Sequence, residues 1–504
     1  MALLTERYAD KILGQLACYD RIVIQGTLPG FCFADGMTSY LYANNIRIFD
    51  YPRFAEPLGN ELRDNADKIA RNNGLQIQFI KSKKNNFRQE KQIKKVLKKR
   101  GNHPGLVHIF SAMEACPSYK PWHNKKTHHT YLKPSQSKCL HYYFYFIDEK
   151  LGLCYVRVPT WCPFRLQIYF NGHGWLGSEL RKRNIDYQLI DNVFTSIDNF
   201  PKAQKISDQL KVDMIHRALD RFADQYCPVI AKFNLRYHWS IMQAEFATDV
   251  VFKRQQDLKA VYDQLTRTAI HVVKPENVAT FLGKKLHGNY QNEMGNNFNT
   301  RIEGTRIKHT MGQVAIKMYD KLGLVLRIET TANNVSFFKH YRQVEHRDGT
   351  RSLKLAAMKK SIYSLSPLTK LLCAANGRYL EFISDIDDPS LGIKILNKIS
   401  KTIIENNRPY KGFNMFDDDD QKLFETIVSG EFNISGFQNK NLRQKLSNKS
   451  GAQVSRILKR LRTHGLIKKI GHTYKYYLTK LGRKVILSGL KLKELFLIPE
   501  LATN

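Results

Sequence analysis

GAQVSRILKRLRTHGLIKKIGHTYKYYLTKLGRKV, Gly451 to Val485, decides how the C-terminal part of this chain folds. Val454, Ile457, Leu458 and Leu461 recur at the spacing of one buried helix face. The other side of that helix carries Gln453, Ser455, Arg456, Lys459, Arg460 and His464, and Gly465 ends it. A hairpin follows, Leu466 to Ile470 and Tyr474 to Leu478, turning at Gly471-His472-Thr473, and Thr479 caps a further helix. Upstream, Asp417 to Asp420 suit the positive end of a helix whose apolar stripe is Leu423, Phe424, Ile427 and Val428. A short helix around Leu442 and Leu446 and a polar turn, Ser447 to Gly451, join the two.

Charge points the same way as shape. No Asp or Glu occurs between Lys440 and Lys493, while Lys and Arg recur throughout. So one-sided a surface repels itself unless a polyanion is its partner. The order helix, turn, basic helix, basic hairpin predicts a winged helix-turn-helix domain. Gln453, Ser455, Arg456, Lys459, Arg460 and His464 would meet the major groove, and Lys468, Lys469, His472 and Lys475 phosphate or minor groove. The stretch resembles the recognition helix, wing and closing helix of MarR-like bacterial winged helices, over about the last eighty residues. The resemblance implies double-stranded DNA as partner, a sequence-specific role in transcription regulation or mobile-element recognition, and a homodimer. A winged helix kept for protein contacts is the competing reading.

The whole chain is basic: 504 residues, 80 Lys and Arg against 45 Asp and Glu, formal net charge +35. Nucleic acid is therefore the leading partner for the rest of it too. No apolar run reaches bilayer length, which argues against a membrane partner. Early Glu6 and Asp10 are unlike a signal peptide, and eight irregularly spaced cysteines read as free thiols, so a cytoplasmic protein is expected.

Ahead of the winged helix (413–504) the pattern predicts a mixed α/β, or α+β, body in three parts: a basic α/β segment (1–200), a mainly helical one (201–300) and a hairpin with helices (301–412). Arg21 to Gly26 and Leu75 to Ile80 read as strands among helices, for which parallel pairing is plausible. Lys81 to Arg100 is a basic run with a thin apolar stripe, a phosphate-tracking surface or a solvated helix face. Aromatic strands from Tyr142 to Phe146 and at Tyr155, Tyr169 and Phe170 offer core, or a base-stacking face for RNA or single-stranded DNA. Ile241 to Arg254 is read as a helix placing Glu245 and Asp249 on one face, and Leu353 to Tyr363 as another helix.

Metal-like residues are scattered. Cys116, His123, Cys139 and His141 could supply a tetrahedral structural zinc, although their spacing matches no zinc motif and a basic aromatic hairpin accounts for them as well. The chain shows no histidine-hydrophobe-histidine triplet in this segment, which counts against nicking initiators of that type. Asp20, just before a strand, occupies a position where some metal-dependent nucleases keep a carboxylate; a structural cap is the plainer reading. IKMYDKLGLVLRIETT, Ile316 to Thr331, loosely resembles plasmid and phage replication initiators and uncharacterised mobile-element proteins. That resemblance makes Asp320 and Glu329 the catalytic candidates, with Lys317, Tyr319 and Arg327 beside them and a divalent metal as cofactor. A hairpin turn with a cross-strand Lys–Glu pair is the alternative. A DNA-binding protein is the first expectation, and a metal-dependent nuclease, transposase or initiator the second.

Overall fold

The computed structural model describes residues 3–81, 88–271, 273–284, 294–301, 304–386, 399–428, 432, 436–446, 448–471 and 473–492. Nineteen strands are described there. The first eight are β1 (Ile12–Thr27), β2 (Ile77–Phe79), β3 (Gly105–Asn124), β4 (His129–Asp148), β5 (Gly152–Pro159), β6 (Leu166–Phe170), β7 (Tyr187–Ile190) and β8 (Val193–Ile197). Then come β9 (His238–Phe252), β10 (Met294–Arg301), β11 (Gly304–Met311), β12 (Val314–Lys321), β13 (Val325–Ala332), β14 (Lys339–Glu345) and β15 (Arg351–Ala357). Four short strands close the series: β16 (Ile403–Glu405), β17 (Arg408–Tyr410), β18 (Ile467–Lys469) and β19 (Tyr476–Leu478). The protein is mixed α and β, and its described strand pairs are antiparallel except β2 with β3. The parallel pairing expected of an alternating pattern is thus confined to one short edge.

Two compact units, interleaved in sequence, divide the chain: residues 1–17, 247–331 and 370–504 form one, and 18–246 with 332–369 the other. In the second unit the strand order is β9-β1-β6-β5-β4-β3-β2. Its core forms where Phe144 and Phe146 of β4 pack on Tyr226 and Phe222, at ring-centroid distances of 4.6 to 5.2 Å. Those two rings belong to helix Val212–Tyr226, whose Ile215, Leu219, Phe222 and Tyr226 make one buried stripe. The aromatic strands are core on this face, as the commoner fate of such strands suggests. Helix Gln89–Arg100 docks through Ile93 onto Val107, Phe110 and Tyr145, leaving most of its lysines outward; Ser82 to Phe87 of the basic run lie outside the described residues.

In the first unit the order is β10-β11-β12-β13-β9. Helix Leu365–Ile386 contributes Asn376, which donates to Thr248 of β9 (3.1 Å) and is bonded by Thr330 of β13 (2.6 Å). The C-terminal elements stand where the periodicity placed them: helices Asp418–Val428, Asn439–Lys445 and Gly451–Thr463, the β18–β19 hairpin, and helix Lys480–Leu492. Ser450 and Gln453 close a reciprocal cap, and Leu423, Phe424, Leu442, Val454, Leu458, Leu461 and Ile486 are buried.

Two helix expectations fail. Ile241 to Phe252 is strand, part of β9; its last seven residues, Phe246 to Phe252, are all buried and leave no alternation to read. Leu353 to Ala357 pairs with β14 across the turn at His346 to Thr350, so tertiary pairing outweighs its local helix propensity.

Candidate functional site

Asp20 sits on β1 with only 5 % of its surface exposed, inside the second unit. The chain builds a donor shell around it. Helix Gly172–Lys182 starts against the Tyr19 carbonyl, so closely that a Cβ at position 172 would strike it. That approach requires glycine. Asn171 caps the helix by accepting from the His173 amide (2.7 Å), and its cap places His173 Nδ1 3.3 Å from Asp20 Oδ1. The imidazole is itself 1 % exposed. Asn192, from the tight turn between β7 and β8, donates from Nδ2 to the same Asp20 oxygen. A carboxylate oxygen of Glu245, on β9, lies within 4.8 Å of one from Asp20. Arg21, next along β1, packs over the Tyr169 ring at 5.3 Å. Burial works against its charge, but the oxygens of Tyr155, Tyr169, Glu245 and Glu90 outweigh burial and raise its pKa.

Two carboxylates this close disfavour a second negative charge in a poorly solvated place, and a divalent cation relieves the repulsion. Oxygens bound to one such ion at about 2.0 to 2.6 Å lie up to about 4–5 Å apart, so the observed separation fits. Asp20 is not at a strand edge but within β1, and it accepts from side chains of remote segments.

In the first unit Glu329, 2 % exposed on β13, accepts from Lys317 Nζ (2.5 Å) and Tyr319 OH (2.6 Å) of β12. This is the cross-strand Lys–Glu pair, strengthened by a phenol. Arg327, fully buried two residues earlier, forms a two-bonded pair with Asp249 of β9 at 2.6 and 2.7 Å. Asp320 has a different place. It accepts from the Gly323 amide (2.9 Å) and shapes the β12–β13 turn, where Leu322 and Gly323 both have positive φ.

The proposed zinc ligands are only partly gathered. Cys116 and Cys139 are hydrogen-bonded across β3 and β4, and Cys139 Sγ is 3.8 Å from His141 Nδ1. Burial and Arg157 push His141 down to about 4, so it is neutral. Glu114 beside it is held below the usual carboxylate range; burial opposes this, and Arg157 (3.0 Å from Nε) and Tyr143 (2.7 Å) overcome it. His123 is not there. It bonds Thr130 (2.9 Å) near the hairpin tip, seven residues along an extended strand, roughly 23 Å from Cys116. One ion cannot span that distance, so the four-ligand set fails.

The basic C-terminal residues divide. Arg456, Lys468, Lys469 and Lys475 are exposed. Gln453 caps its helix while remaining exposed, and Ser455 accepts from Asn439 (2.8 Å). Lys459 pairs with Glu405 at 2.9 Å. Arg460 and His464 are corrected to structural roles. Arg460 bonds both oxygens of Asp420 (2.8 and 2.9 Å) and the Lys411 carbonyl, and lies 3.8 Å from the Phe413 ring centre. His464 is 6 % exposed and meets Lys411 O at 3.1 Å; burial lowers its pKa. Both flank the buried stripe, so they hold the helix to residues 411–420. The acidic run before the first helix was the available signal, since Asp420 needed a cationic partner. His472 lies outside the described residues.

No family model matches the chain, and no curated protein does. Among solved structures, a rolling circle replication initiator protein from Geobacillus stearothermophilus matches with a TM-score of 0.17 and 8% identity, over 63% of this chain and 74% of that one. A likeness that low carries no argument. No helix among the described residues is long and apolar enough to cross a membrane.

Proposed function

We propose that this protein is a metal-dependent DNA-processing enzyme of nuclease, transposase or replication-initiator type, held on duplex DNA by a C-terminal winged helix of MarR-like design. The approach of Asp20 to Glu245 within 4.8 Å carries the reading. These two side chains would hold the divalent ion. Bound there, it would supply Lewis-acid activation of water, or of another hydroxyl nucleophile, against a phosphodiester. Asn171, Asn192 and His173 fix the Asp20 carboxylate, so ligand orientation is set before DNA arrives. His173, with Nδ1 3.3 Å from Asp20 Oδ1 and only 1 % exposed, would orient that carboxylate; the attacking hydroxyl would pass its proton to water as the bond from phosphorus to the leaving oxygen breaks and the new one forms. The exposed Arg456, Lys468, Lys469 and Lys475, on a stretch free of acidic residues, support duplex binding.

Supercoiled plasmid incubated with the full chain and Mg²⁺ or Mn²⁺ tests this. Nicking that needs the metal and disappears in Asp20→Asn and Glu245→Gln is expected. Intact plasmid with salt-sensitive binding retained would instead favour the second reading. There the protein is a sequence-specific binder, a regulator or mobile-element recognition factor, and the exposed basic face of helix Gly451–Thr463 is what favours it.

A further inference from the structure

The β3–β4 hairpin carries a second basic surface that the winged helix does not explain. From Ala115 to Ile147 there is no acidic residue, against five lysines and four histidines. Cross-strand register sets its outward face. Trp122 stands opposite Tyr131, and Lys120 opposite Lys133. Residues two apart on a strand share a face, so Lys120, Trp122, His129, Tyr131 and Lys133 form one surface. The opposite face, with Tyr119 and Leu132, is buried.

Three features of that surface point to a ligand. Trp122 is 49 % exposed, a large ring left in water. Lys133 Nζ sits 3.7 Å from its centre, and His129 stacks on Tyr131 at 5.7 Å, so the rings are ordered before anything binds. Like charges directly opposite, as at Lys120 and Lys133, destabilise a strand pair. Lys133 is partly compensated by the Trp122 ring, and a phosphate at the pair would relieve the repulsion that remains. Tyr42, itself 49 % exposed, donates to the Thr130 carbonyl and fixes the hairpin near its tip.

We infer that this face binds single-stranded DNA, with bases stacked on Trp122 and Tyr131 and phosphates between Lys120 and Lys133. Stacking needs bare base faces, which a paired duplex covers, so the surface discriminates by strandedness and not by sequence. The inference deepens the proposed function and rests on it: a strand that separates from its complement at the cut would be held by this hairpin.

The test is anisotropy titration of the full chain with a labelled oligothymidine, in the presence of unlabelled duplex to occupy the winged helix. Trp122→Ala should weaken single-strand binding about tenfold, since one stacked base contributes roughly 1–3 kcal/mol. Trp122→Phe should keep most of it. The pair Lys120→Ala with Lys133→Ala should flatten the salt dependence by about one unit of slope. Duplex affinity should hold in all three variants and none should lose its fold, because every altered side chain is on the outward face; removing the opposed lysines should leave the melting temperature level or raise it. Unchanged single-strand affinity in both Trp122→Ala and the double lysine variant would overturn the inference. Plasmid nicking reads the Asp20–Glu245 site independently, so either idea can fall alone.

Discussion

Asp249 and Asp20 are both buried aspartates on strands, and their surroundings are opposite in kind. Asp249, 1 % exposed, faces a fully buried Arg327 through two bonds of 2.6 and 2.7 Å. Its charge is cancelled at the place where it arises. Asp20 is 5 % exposed, and the donors around it are two amides and an imidazole, with the Glu245 carboxylate close by. The two amides carry no charge, and the Glu245 carboxylate, which helps to keep Arg21 protonated, adds a second negative charge. A neutralised ion pair holds strands together; two carboxylates within 4.8 Å of each other are suited to a divalent cation. That difference separates the aspartate of an ion pair from the one proposed to hold a metal ion, although both are buried.

The comparison predicts opposite outcomes for matched substitutions. The largest effect should come from Arg327→Met, which strands a buried carboxylate and should lower unfolding stability by about 3–5 kcal/mol in a denaturant titration. Adding Asp249→Leu to that variant should restore most of the loss, because replacing both charges removes the desolvation cost. Asp20→Asn should reverse the pattern: metal-dependent nicking falls roughly 100-fold or more, while the denaturation midpoint stays level or rises. A large stability loss in Asp20→Asn would place it with Asp249 and end the distinction.

Acid should expose a smaller effect. His309 is fully buried between Asn296 (2.8 Å) and Tyr379 (3.2 Å), and burial pushes its pKa down to about 4. The unfolded chain binds that proton near the ordinary value of 6.5, so it takes up protons first as pH falls. Stability contributed by a neutral His309 is complete above pH 6.5 and is lost progressively towards pH 4. His309→Asn should flatten this part of a pH–stability curve. A slope unchanged in that window would show that His309 does not set it.

The smallest contrast lies within the C-terminal helix. Arg456→Ala should weaken duplex binding by about 1 kcal/mol and leave melting unchanged, since its side chain is exposed. Arg460→Ala should do the reverse, lowering the melting temperature by removing the bonds to Asp420 and Lys411.

How much of this was legible from residues alone follows from the range of the interactions. The C-terminal elements were readable because their signals are local: an apolar repeat on Gly451–Thr463, a polar turn before it, a glycine stop after it. The Glu329 pairing was readable from a short motif, because its Lys317 and Tyr319 partners lie within twelve residues. Asp20 is not legible in this way, because nothing near it in sequence reveals its surroundings. Its partners come from positions 171, 173, 192 and 245, and only folding brings them together. The same holds for β9. Reading Glu245 and Asp249 as helical neighbours put them on one face for the wrong reason, since residues four apart also share a face in a strand. The zinc set erred in the other direction, because closeness in sequence between Cys116 and His123 becomes distance along an extended strand.

The central claim is that Asp20 and Glu245 hold a divalent ion, and Mn²⁺ binding followed by electron paramagnetic resonance tests it without relying on turnover. The account predicts a saturable site in the full-length protein that Mg²⁺ displaces and that is lost in both Asp20→Asn and Glu245→Gln, with folding intact. Mn²⁺ binding that is absent in the unaltered protein, or unchanged in the two variants, would contradict it.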